Sequence, residues 1–305
     1  VGAALLMIAG EFDLSVGSMI GFAGMMLAIP ILEWSWAPSM AVVFAFACAL
    51  VLGWLNGWLV IKTGLPSFIV TLAFFFILRG LSLAIAVLLT GKTILSNNGD
   101  VVLRDAMAAD AVVAALFMGH VLTGLFDAVA GAGWMVARDD GTALAIGVPK
   151  VVVWWFLLTA MGAFVLARTR VGNWILSVGG DANAAKNVGI PVASVKIGLF
   201  MFTTFCATLF AVLQVADAGS AAADRGLQKE FEAIIAAVIG GCLLTGGYGS
   251  VIGVAFGALI FGMVQIGIGY TSIDNNWYRV FLGVMLLIAV VFNNYIRRRY
   301  TMGRH

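Results

Sequence analysis

SFIVTLAFFFILRGLSLAIAVLL, running from Ser67 to Leu89, decides what kind of molecule this is. Arg79 is its single charge. At about 1.5 Å per residue a helix of this length covers the hydrocarbon core of a bilayer, about 30 Å thick. Reading outward, comparable apolar stretches run from Val1 to Ile31 with a break near Glu11, Ser39 to Ile61, Val151 to Ala167, Ile197 to Ala216, Phe231 to Leu244, Val251 to Tyr270 and Val280 to Ile296. They predict an all-α, polytopic membrane helical bundle of about eight membrane elements, one transmembrane domain over residues 1–305. Composition agrees, with 62% apolar and only 10% charged residues and a mean hydropathy of +1.07. The lipid bilayer is the expected surrounding, and no nucleic-acid partner is expected.

Cys48, Cys206 and Cys242 lie inside apolar stretches without metal-ligand spacing and read as packing residues. No metal or other cofactor is expected. No secretory signal with a cleavage site opens the chain. Val1 begins inside an apolar run, so either it stands at an alternative start or further sequence, with a helix in it, precedes it.

Lys and Arg are retained on the cytoplasmic side, so they set the orientation. With Arg297, Arg298 and Arg299 inside and each element crossing once, Lys62, Arg168, Arg170, Lys186, Lys196 and Arg304 also fall inside, against the single acid Asp181. The C-terminus is therefore expected in the cytoplasm. Residues 91–150 form an outer connection. Within it, Ala111 to Trp134 is apolar but carries His120, Asp127 and several glycines, and reads as an outer-surface or re-entrant segment that does not cross.

Gly17-Ser18-Met19-Ile20-Gly21-Phe22-Ala23 is echoed by Gly249-Ser250-Val251-Ile252-Gly253-Val254-Ala255, as in a parallel internal repeat. Just before the first copy, Gly10-Glu11-Phe12-Asp13-Leu14-Ser15 interrupts an apolar run with two carboxylates. Asp13 is placed to accept a bond from an amide two or three residues on and to start a new helix. Arg79, deep in its span, is expected to face the bundle interior, paired with Glu11, Asp13 or carbonyls, with direct contact to substrate as the alternative. Asn56, Thr71, Gln214 and Gln265 are neutral polar residues inside spans. They suit hydrogen bonds between helices or the lining of a polar path.

Arg168 to Lys196, RTRVGNWILSVGGDANAAKNVGIPVASVK, is too polar to span and too apolar to be disordered. Asp181 caps a short helix over Asn183 to Val188, and Gly189 followed by Pro191 ends it. A rigid helix on a cytoplasmic connection is suited to docking.

The order GEFDLSVGS, PSFIVTL with LRG, GGDANAAKNVGI, then GGYGSVIGV and a basic tail resembles the ribose/xylose-type permeases of bacterial ABC sugar importers. The resemblance covers the chain apart from residues 91–150. It implies a multi-pass protein of the bacterial inner membrane that translocates a small sugar. The implied partners are a second permease copy in a homodimer, cytoplasmic ATP-binding subunits and a periplasmic sugar-binding protein. The glutamate-alanine-alanine, three residues, glycine loop of such permeases matches Asn183, Ala184, Ala185 and Gly189, with Asn183 replacing the glutamate. Together with Asp181 these are the residues expected to couple to the ATPase, a role the missing charge at Asn183 makes less specific.

No GxxxxGK[ST] pattern occurs, so this chain is not expected to hydrolyse ATP itself. The branched-chain amino-acid permeases share the same architecture and rival the sugar reading. A secondary transporter driven by protons through Glu11, Asp13 and Arg79 is the alternative from another class.

Overall fold

The computed structural model describes residues 1–99, 101–136, 143–144, 147–270 and 276–302, with side chains except at 269, 276, 278–279, 293–294 and 296–302. The helices are α1 (Gly2–Ile8), α2 (Val16–Glu33), α3 (Pro38–Thr63), α4 (Ser67–Thr90), α5 (Leu103–Ala109), α6 (Ala111–Phe117), α7 (Thr123–Gly131), α8 (Lys150–Arg168), α9 (Arg170–Gly180), α10 (Ala182–Asn187), α11 (Val192–Ala218), α12 (Lys229–Ile239), α13 (Val251–Gly269) and α14 (Asn276–Met302). Among the described residues six of them, α2, α3, α4, α8, α11 and α13, are long and apolar enough to cross a membrane. The sequence supplies their ends. Pro38 opens α3, and left-handed glycines at Gly64, Gly91 and Gly219 close α3, α4 and α11.

α2 is the central post, buried along almost its whole length against α3, α4 and α11. Small residues make the close approaches possible. A Cβ at Gly53 would lie 2.8 Å from the Met201 Cα, and one at Gly57 2.8 Å from the Ile197 Cα, so α3 and α11 touch backbone to backbone. One large apolar cluster surrounds α2 and a second gathers α1, α9 and the first turns of α11.

Two parts of the sequence reading change. The segment expected as a span from Phe231 to Leu244 is an 11-residue helix, α12, which starts earlier and ends at Ile239. The chain reaches it through a non-helical leg that runs down α2. The Ala223 carbonyl oxygen occupies the space where Gly21 lacks a side chain, and the Gly226 carbonyl oxygen lies 2.5 Å from where a Gly17 Cβ would stand. Irregular backbone at membrane depth is tolerated where protein covers it, and here α2 does. The first span, read to Ile31, continues to Glu33.

Residues 91–150 hold α5 to α7 and the short strands β1 (Ile94–Leu95), β2 (Asn97–Asn98), β3 (Val101–Val102), β4 (His120–Val121) and β5 (Val148–Pro149). β6 (Ala221–Ala222) pairs with β1. Ala111 to Trp134 is not one helix. α6 and α7 have 7 and 9 residues, far short of the roughly 20 a crossing requires. This connection is fastened to the bundle: the Ser39 amide donates to Asp110 Oδ2 at 2.9 Å, Lys150 Nζ to the Ala114 carbonyl at 2.7 Å, and Trp154 Nε1 to the Leu116 carbonyl at 2.9 Å. α14 carries the basic tail, and the side chains of Arg297 to Arg299 lie outside the described residues.

Candidate functional site

The turn over residues 9–15 joins α1 to α2, and it must satisfy backbone donors that no helix satisfies. Gly10, at φ +83°, starts the reversal. Phe12 N–H donates to Ser67 Oγ at 3.0 Å and Leu14 N–H to Thr71 Oγ1 at 3.0 Å. Asp13 Oδ1 accepts from Ser15 N–H at 2.8 Å and from Ser15 Oγ at 2.5 Å, and Asn56 Nδ2 donates to Ser15 Oγ at 3.1 Å. Glu11 forms an ion pair with Lys196 in the first turns of α11. Asp13 thus takes the amide two residues on, as the sequence suggests, but the capping position of α2 is Ser15, so Asp13 supports the turn before the helix instead of capping it. Asn56 and Thr71 serve as supports of this turn.

Arg79 does not join that group through any hydrogen bond or ion pair among the described residues. Its half-buried guanidinium acts electrostatically on Glu230, at the start of α12. Its partner is therefore neither Glu11 nor Asp13. Glu11 pairs with Lys196 and Asp13 Oδ1 with Ser15, while Asp13 Oδ2 is buried without a hydrogen-bond partner in the described structure. Glu230 is 3% exposed, and its Oε2 has no hydrogen-bond partner in the described structure. It fits against α2 because residue 17 is glycine: a Cβ there would collide with Glu230 Oε2. Beside it Lys229 and Glu232 pair at 2.6 Å, with side chains 29% and 13% exposed. The start of a half-length helix therefore brings four charged groups, Arg79, Lys229, Glu230 and Glu232, into one neighbourhood. Sequence reasoning missed Glu230 by starting the element at Phe231. The signal was the shortness of that element.

The surface helix α10 is built as its sequence suggests. Asp181 Oδ1 accepts from Asn183 N–H at 2.8 Å and Ala184 N–H at 3.0 Å. Gly189 is left-handed at φ +86°, and the Ile190 amide closes the helix on the Ala185 carbonyl at 3.0 Å. Ala185 is buried, packed into the cluster of α1, α9 and α11, and belongs to the inner face of α10. The exposed face is made of Asn183, Ala184, Lys186, Asn187 and Val188, with Val188 77% exposed.

Gln214 is half-buried on α11 and Gln265 exposed on α13, and neither is hydrogen-bonded to the turn or to the charge cluster. A cleft of about 340 Å³ opens between α1, α8, α9 and α11. Its walls, including Leu5, Val165, Trp174, Val195 and Phe202, are apolar. Hydroxyl groups would find few partners there.

Comparison with known proteins gives the same picture. The inner membrane ABC transporter permease protein YjfF of Escherichia coli (strain K12) is 30% identical over 95% of this chain and 77% of its own length. The xylose transport system permease protein XylH of the same strain is 30% identical over 98% of this chain and 82% of its own. The ribose import permease protein RbsC, again from that strain, is 29% identical over 96% and 80%. No solved structure matches. A family model described as branched-chain amino acid transport system / permease component matches residues 1–290. A helical bundle with six apolar helices of membrane-crossing length and a capped surface helix fits that description, and the chain belongs to this family of transport permeases.

Proposed function

We propose that this protein is the membrane-spanning permease subunit of an ATP-driven importer that carries a monosaccharide across the bacterial inner membrane. Two copies of the chain enclose the path. Cytoplasmic ATP-binding subunits dock on α10, and a periplasmic sugar-binding protein delivers the substrate on the side of residues 91–150. The C-terminus of α14 lies in the cytoplasm. A sugar is favoured over a branched-chain amino acid because relatives at about 30% identity over nearly the whole chain are named for xylose and ribose.

The observation that supports the reading best is α10. A helix fixed at its start by Asp181 and at its end by Gly189, with Val188 standing free, is a rigid knob with one exposed apolar side chain on a chain that has no phosphate-binding loop. Energy supplied by another subunit must enter through such a contact. Lys229 and Glu232 add to the case. Charged side chains within a bundle of this depth are costly against acyl chains, so their partly exposed face looks onto water or the partner copy. Glu11 and Asp13 are held by Lys196 and Ser15, which favours ATP over a proton gradient as the driving force.

Affinity purification of the tagged permease from its native membrane, followed by identification of bound subunits and measurement of sugar-stimulated ATP hydrolysis, tests this. An ATPase is expected to co-purify with the native chain and to be lost with Val188→Asp. Retention of the ATPase by that variant would place the docking surface elsewhere. Uptake driven without any ATPase would favour the proton-coupled alternative.

A further inference from the structure

Three backbone segments meet without a side chain between them just beneath α10. α1 ends at Ile8, whose carbonyl oxygen accepts a 2.8 Å bond from the Gly247 amide, in the turn that joins α12 to α13. Gly179, next to last in α9, packs on both. A Cβ at Gly179 would collide with the Ile8 carbonyl oxygen and come within 2.6 Å of the Gly247 nitrogen. Gly246 closes the third side: a Cβ there would stand 2.7 Å from the Gly10 Cα and 2.8 Å from the Gly179 carbonyl oxygen. Backbone packed this closely has no rotamers through which to yield, so a push on one segment displaces the others. Gly179 stands two residues before the Asp181 that caps α10. On the far side of α10, Lys196 ties the start of α11 to Glu11 in the turn of residues 9–15.

We infer that this glycine junction, with the Lys196–Glu11 pair, is the relay that carries motion of α10 into the membrane. The inference rests on α10 being the ATPase contact. The junction reaches the 240–250 turn and therefore α12, whose other end holds Glu230 against Gly17 of α2. The ion pair reaches the 9–15 turn, which holds the start of α2. A single displacement of α10 thus acts on both partners of the Glu230–Gly17 contact, α12 through the junction and α2 through the ion pair. Gly179, Gly247, Glu11 and Lys196 are positioning residues, none of them a member of the charge cluster they move.

The test uses proteoliposomes with the complete transporter, reading ATPase binding and sugar moved per ATP hydrolysed. Gly179→Ala is expected to retain the ATPase while sugar moved per ATP falls about tenfold, the size of an ordinary coupling between sites. Gly180→Ala serves as the comparison, because a Cβ at Gly180 meets nothing within 4 Å. Glu11→Lys and Lys196→Glu are each expected to lower the ratio, and the double exchange to restore it in part. Those three variants decide the matter if Gly179→Ala is not recovered from the membrane. A Gly179→Ala transporter, or both single charge variants, working at the native ratio would overturn the relay alone. A native chain that binds no ATPase would overturn the relay together with the permease reading.

Discussion

The turns at residues 9–15 and 240–250 touch each other, yet they are made from opposite materials. The first is held by side chains: Ser67, Thr71, Asn56 and Lys196 reach it from other helices, and Asp13 takes both the amide and the hydroxyl of Ser15 within it. The second is held by backbone: Gly241 N–H bonds to Val238, Cys242 N–H to Ala237, Gly246 N–H to Leu243 and Leu243 N–H to Tyr248. Its left-handed residues are Gly241, Gly246 and Gly247. A turn supported from outside keeps a record in polar residues on other helices. One held through backbone, its own and that of α1 at Ile8, leaves only glycines. The first must fail when a polar group is removed, and the second when a methyl is added.

Gly253→Val attacks the second turn and is the largest effect expected. A Cβ at Gly253 would run into the Gly240 carbonyl oxygen, which has no room to retreat because α13 also meets Gly240 through Val254. Overpacking of this kind costs about 3 kcal/mol. The thermal midpoint of the purified protein in detergent is expected to drop accordingly, while Gly262→Val, with nothing within 4 Å of the added Cβ, stays near the native value. Equal midpoints would show that the two helices can part, and the backbone-held account of this turn would fall.

The same contrast explains what the sequence discloses. Asp13, Asp181 and Gly189 are legible because each acts on its own neighbours: an acid before a helix and a glycine after one have local meanings. The Arg79 environment is not, because Glu230 lies far along the chain and is brought to α4 by a leg that reads like a loop. Nor is the inward face of Ala185, since a six-residue helix has too few positions to show a period. The echo between Gly17-Ser18 and Gly249-Ser250 is half informative. Gly21 and Gly253, equivalent in the echo, each receive a backbone carbonyl, from Ala223 and Gly240. The caps do not correspond. Ser250 Oγ accepts from the Gly253 amide at 3.3 Å, whereas Ser18 lies inside α2, three residues after the capping position at Ser15.

Asp13→Ala tests the first turn at intermediate size. It removes the acceptor for the Ser15 amide and for Ser15 Oγ, and unmade bonds in a buried turn cost about 1–3 kcal/mol. Asp13→Asn retains an acceptor oxygen and is expected to recover most of the loss. Ser250→Ala, which takes away a long capping bond at the second turn, is expected to cost no more than about 1 kcal/mol. Thermal midpoints of the three variants, taken together, measure how far side chains carry one turn and not the other. A Ser250→Ala loss as large as that of Asp13→Ala would erase the distinction.

Proton concentration gives the smallest and most local test, since it acts on a carboxylate outside the membrane-spanning helices and leaves both turns as references. Asp110 lies in the exposed connection of residues 91–150 and accepts bonds from the amides of Ser39, Val112 and Val113. Those bonds, the Ser39 amide first, favour the charged carboxylate and hold its pKa below the ordinary 3.8. A depressed pKa in the folded state means that the stabilisation is complete above the ordinary value and is lost as pH falls through the folded one. Asp110→Asn is therefore expected to be slightly less stable than the native protein at neutral pH, and the gap is expected to close on acidification below 3.8. Hydrogen exchange at the Ser39 amide, followed in both proteins across that range, reads the same bond directly. Protection that persists in the native protein at low pH would mean that the start of α3 is held by helix packing instead, leaving Asp110 as the cap of α6 alone.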